Sequence, residues 1–146
     1  MSNGILTHHN ISISLALECA IAALEAAQAR GYHVAVAVAD RGGHLLVLLR
    51  GDGAGPHLID SARRKAYTAA SAKNRTSVMS KAIDERSGVP DPHLVYLEGV
   101  LMVGGGVPIE AAGQVIGAIG VGGAPGSIHD EECADAAIAK IAARLT

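Results

Sequence analysis

The chain has 146 residues, 49% of them hydrophobic and 18% charged, which fits one compact domain with a real core and argues against a long disordered tail. Rings are scarce: three Tyr, no Phe and no Trp, against 18 Gly and 27 Ala. Single-stranded nucleic acid is bound by stacking on aromatic platforms, and duplexes or anionic membranes by basic surfaces. Few rings and a net charge of -2 argue against both classes of partner.

In chain order, residues 1–10 carry no apolar period and read as a flexible terminus, leaving a single domain over 11–146. The terminus has no basic flank followed by an apolar stretch, and no apolar run approaches the roughly 20 residues of a membrane span. A cytoplasmic location is therefore expected. Over 12–30 the apolar positions Leu15, Cys19, Ala22, Ala23 and Ala26 recur at steps of three and four, one buried helical face, with Ser12 or Ser14 placed to cap it and Gly31 to end it. Residues 32–39 alternate Val and Ala, and Asp40, Arg41, Gly42 and Gly43 separate them from a second apolar run over 44–49, a hairpin signal. The small Ala face of this hairpin calls for something packed closely over it. A glycine-rich connection over 51–56 leads to a helix running to about Lys73, followed by a polar helix over about 77–86 and a loop over 87–92.

Beyond the loop, 100–103, 107–111 and 115–121 read as three short strands, and a last helix starts at about His129 with Ser127 as its cap. Hairpin-length links between strands predict an antiparallel sheet, because parallel neighbours need long crossovers. The expected architecture is an α+β sandwich: five antiparallel strands flanked by helices.

The helix after Pro56 carries the main candidate for chemistry. His57, Ser61, Lys65 and Thr68 lie at offsets of zero, four, eight and eleven and so share a narrow stripe. An imidazole, two hydroxyls and an ammonium on one stripe suit an anionic ligand or acid-base work, while a solvated face with Asp60 and Arg64 one turn apart is the plain alternative. Gly104, Gly105 and Gly106 follow an apolar stretch and can form an anion-binding nest, yet no Lys-Ser or Lys-Thr follows and no helix opens there, so tight turn geometry accounts for them too. Gly117, Gly120, Gly122 and Gly123 mark close approach of a helix, a ligand or another subunit to the last strand.

The seven histidines show no metal spacing. His8 and His9 sit in the terminus, His33 and His44 flank the hairpin, His93 lies in a loop, and His129, Asp130 and Glu131 are helix neighbours that point apart, so no metal is expected. Cys19 and Cys133 read as buried free thiols.

The hairpin VAVAVADRGGHLLVLLR, the segment IDSARRKAYTAAS and the run GGGVPIEAAGQVIGAIGVGGAPGSIHDEECADAAI, in that order, resemble the GlcG/HbpS-like family, which includes the C-terminal domain of PduO-type proteins. The resemblance covers nearly all of the chain from Ile11. It implies a profilin-like fold with helices on both faces of a five-stranded sheet, homo-oligomers such as tetramers or octamers, and haem or another tetrapyrrole as ligand in some members. Lys65 and Thr68 fall in the KAxTA segment of that family, and Gly104, Gly105, Gly106, Gly122 and Gly123 in its glycine runs.

With no Phe or Trp and no CxxCH sequence, an implied haem would occupy a shallow or intersubunit site, with His57 or Tyr67 near the iron and Arg63, Arg64 or Lys65 near the propionates. A small-molecule ligand would then touch His57, Ser61, Arg64, Lys65, Thr68 and the glycines Gly104 to Gly106. The rival expectation is an isomerase- or hydrolase-type enzyme of a catabolic pathway, with His57 as acid-base residue and Lys65 anchoring a carboxylate. A third is an oligomeric accessory protein with neither role.

Overall fold

A computed structural model describes residues 3–85, 94 and 96–146. The loop expected over 87–92 and His93 lie outside the described residues. Helix α1 spans Ile13–Ala29; the Ser12 hydroxyl accepts a bond from the Leu15 N–H, and Gly31, at φ 76°, ends the helix where an L side chain is strained. Strands β1 (Ala35–Asp40) and β2 (Leu45–Arg50) form the hairpin, α2 spans His57–Ala72 and α3 Thr76–Glu85. Strands β3 (Gly106–Ala111) and β4 (Gln114–Gly122) precede α4 (Ser127–Ile141) and a short 3-10 turn over Ala142–Arg144.

The sheet has the order β2-β1-β4-β3 and every neighbouring pair is antiparallel. Its two faces follow from the alternation in β1. Val34, Val36 and Val38 join Ile109, Ile119 and Val121 under α1 and α4, whereas Ala35, Ala37 and Ala39 join Ala118 beneath α2. The alanine face lets α2 approach closely. At Gly120 the approach is closest, since a Cβ there would collide with the carbonyl of Ala62. The α+β class with helices on both faces of an antiparallel sheet is therefore as the sequence predicts.

The strand count differs: the described sheet has four strands, not five. Residues 100–103 form no ladder, and α2 side chains take up two of their peptide groups. Thr68 Oγ1 accepts the Leu101 N–H at 2.9 Å, and an Arg64 Nη2 donates to the Val100 carbonyl at 2.8 Å. The last helix also begins earlier than expected, at Ser127, after Gly126 at φ 108°, with no side-chain cap.

Candidate functional site

The stripe predicted on α2 divides into an interior half and a surface half. Lys65 is buried. Its Nζ donates to the Val121 carbonyl at 3.0 Å and to Asp130 Oδ2 at 3.1 Å, with the two side chains only 4% and 5% exposed. The other Asp130 oxygen accepts the Ala124 N–H at 2.9 Å. Burial pushes the Asp130 carboxyl above its ordinary value, opposed by the Lys65 ammonium and the Ala124 bond. The pair ties α2 to the end of β4 and the first turn of α4.

The glycine run closes over this pair. A Cβ on Gly105 would meet Lys65 Nζ and the Asp130 Cβ, and Gly106 lies against the Lys65 carbonyl while its N–H donates to Thr76 Oγ1 at 2.9 Å. Gly104 packs on Ser127 and Ser77, and Gly122 on Ser61. Thr68 donates to the Arg64 carbonyl at 2.7 Å besides accepting from Leu101. Lys65, Thr68 and the three glycines thus share one packed region. Next to it, Arg75 reaches Glu131 at 2.7 Å and Asp135 at 2.8 Å, and Ser77 donates to Glu131 at 2.9 Å.

Beside the stripe, α2 borders an open depression of about 410 Å³ lined by Asp60, Arg63, Arg64, Tyr96, Leu97, Glu98 and Gly99; the stripe residues His57 and Ser61 are not among its walls. Arg63 bonds Asp60 at 2.6 Å, and Arg64 is steadied by its bond to Val100. Tyr67 packs its ring between Gly43 and Gly99, positions where a Cβ would crowd it, and stays 36% exposed. His57, Asp60, Arg64 and Tyr67 share this flank of α2, with His57 exposed beside Gly55.

Sequence reasoning missed Asp130 as the partner of Lys65, and it missed Tyr96 and Leu97 as groove walls. No local pattern pairs residues 65 positions apart, and Asp130 reads simply as a first-turn acid. Among the described residues, no three His, Cys, Asp or Glu side chains converge as a metal site. His129 faces Glu132 at 3.3 Å while Asp130 turns inward.

A family model described as haem degrading protein HbpS-like matches residues 11–139. The chain belongs to the HbpS-like family. Protein GlcG of Escherichia coli (strain K12) is 37% identical over 113 residues, 76% of this chain and 80% of that protein. Among solved structures, a double mutant of Streptomyces reticuli HbpS is 41% identical with a TM-score of 0.87, covering 97% of this chain and 93% of that one. A PduOC:heme complex is 29% identical with a TM-score of 0.80, covering 89% of this chain and 94% of that one. The HbpS-like match takes in α1 through most of α4 and so contains both the buried pair and the open groove.

Proposed function

We propose that this protein binds haem or another carboxylate-bearing tetrapyrrole at the groove on the outer flank of α2, as a homo-oligomer. The observation that carries the reading is the pair Arg63 and Arg64 beside an open groove that Tyr96 lines and that Tyr67 adjoins at Gly99. Guanidiniums recognise carboxylates with charge-assisted, often bidentate hydrogen bonds. Tyr67 and His57 flank the arginines along α2 and are groups that ligate haem iron. When bound, the group would supply the iron and the flat apolar ring; the chain's part is to hold the propionates and offer an axial donor. Among the described residues the groove is open and lined mainly by polar side chains, so the ring lies shallow or is shared with a second subunit. Membership in a family described by haem, and the PduOC:heme complex as a neighbour, support the same reading.

The enzyme alternative requires His57 and Lys65 to act on one small anion. Eight residues of helix separate them by about 12 Å along the axis, and Lys65 already serves Asp130 and Val121. The groove favours binding. Haemin titration of the purified chain tests this: a saturable Soret shift is expected, weakened roughly tenfold or more by Arg63→Ala with Arg64→Ala. His57→Ala or Tyr67→Phe should change the position of the band if that residue is the axial ligand. Absence of a saturable shift, or indifference to the arginine pair, overturns the proposal.

A further inference from the structure

The groove beside α2 already holds a carboxylate of its own. Asp60 lies in the first turn of the helix, where the dipole favours an acid. Arg63 and Arg64 follow at steps of three and four residues, so they reach back to it across one turn. Arg63 Nη2 donates to Asp60 Oδ1 at 2.6 Å, and Arg64 Nη1 stands 3.7 Å from Asp60 Oδ2. One carboxylate thus spreads its two oxygens over two guanidiniums, which is the contact an incoming propionate needs.

The two arginines are held differently. Arg64 also gives its Nη2 to the Val100 carbonyl at 2.8 Å, so it stays in the wall with its Nη1 turned to Asp60. Arg63 is tied to Asp60, and both of those side chains are about half exposed. Exposed pairs of this kind are weak: too weak to lock the groove, strong enough to compete for it. Glu98 adds a second acid to the lining, so the formal charges of Asp60, Glu98, Arg63 and Arg64 cancel. A dianion entering the groove therefore gains its contacts by exchange and not from a net positive field.

We infer that Asp60 is an internal competitor for the carboxylate ligand, occupying Arg63 and Arg64 while the groove is empty and giving them up when the ligand arrives. The inference rests on the ligand site of the proposed function and adds how that site is regulated. Each bond made to the ligand is offset by one lost to Asp60, which holds the affinity below what two free arginines would give. A ligand without a carboxylate has nothing to exchange and leaves the pair closed. Asp60 is thus a specificity residue that need not touch the bound ligand.

Haemin titration of the full chain and of Asp60→Asn, Asp60→Ser and Glu98→Gln, at about 0.1 M and about 1 M salt, tests it. Both Asp60 variants are expected to bind about two- to tenfold more tightly, the scale of two exposed ion pairs released. Glu98→Gln changes the net charge equally but frees no arginine. Its gain should be smaller and should vanish at about 1 M salt, where charges act over only about 3 Å, while the gain from Asp60 persists. Equal gains from Glu98→Gln and Asp60→Asn at both salts overturn the inference, because the field would then set the affinity. Unchanged or weaker binding by the Asp60 variants overturns it as well, because Asp60 would then order the arginines for the ligand. In both cases a wild-type Soret shift that depends on Arg63 and Arg64 leaves the proposed function standing. No saturable shift with or without Asp60 overturns both. The Asp60 side chain is 56% exposed, so its replacement leaves the fold intact, and agreement between the Asn and Ser variants separates competition from a local effect of either.

Discussion

Lys65 shows how a residue suited to ligand binding is consumed by the fold. Two charges taken out of water need close partners, and here each finds more than one: Lys65 has Asp130 and Val121, and Asp130 has Lys65 and Ala124. Removing one partner strands the other. Lys65→Met is expected to destabilise the chain by about 3–5 kcal/mol, because the Asp130 charge is left buried and unpaired. The double change Lys65→Met, Asp130→Leu should recover most of that loss, since an apolar pair of similar volume carries no desolvation cost. Urea denaturation of the three proteins checks both numbers. A single variant within about 1 kcal/mol of wild type would mean that the pair is solvated after all. The chain made Lys65 visible as a candidate, but only its surroundings tell an anchor of α4 from a ligand contact.

Among the elements, α2 organises the most. Its small residues, Ala62, Ala66, Ala69 and Ala70, seat it on the alanine face of the sheet. Its polar residues reach sideways instead of outward. Thr68 and Arg64 hold the peptides at 99–101 in place, and those residues include the end of the groove wall. Thr68→Val keeps the shape but loses the acceptor of the Leu101 N–H, at a cost of about 1–3 kcal/mol. Amide exchange at Leu101 should accelerate in this variant while the β1 amides stay protected. Equal acceleration in both places would show that Thr68 supports the whole sheet and not this segment. The same contacts bear on the fifth strand that is missing among the described residues: 100–103 has the apolar composition of a strand, yet its Val100 carbonyl and Leu101 N–H are spent on α2.

At the scale of the whole molecule, α1 and α4 share one layer and one core, and both thiols lie in it with no exposure. Burial pushes Cys19 up to about 12 and raises Cys133 as well, so neither forms the reactive thiolate near neutrality. Neither thiol should react with Ellman's reagent in the native protein at pH 8, and both should react once it is unfolded. Rapid native labelling of one thiol would reveal local opening of the α1 and α4 layer. With no Phe or Trp, that layer is filled by Ala, Val, Ile and Cys, and the helices come close to the sheet because no ring holds them apart.

Patterns that act over a few residues were legible in the chain. The three- and four-residue steps of α1, the Val and Ala alternation of β1, the Ser12 cap and the Gly31 stop are local, so composition and spacing determine them. The glycines of β4 likewise announced a close neighbour, and α2 is that neighbour at Gly120. Together these determine the α+β class and the antiparallel order of hairpins. Tertiary structure alone decided which polar residues stay available. Lys65 meets Asp130 across 65 positions, Leu101 finds a hydroxyl on α2 in place of a strand, and Arg63 and Arg64 remain at an open groove. The reason is physical: a side chain's local spacing sets the face it occupies, but what covers that face is brought by segments far away in the chain.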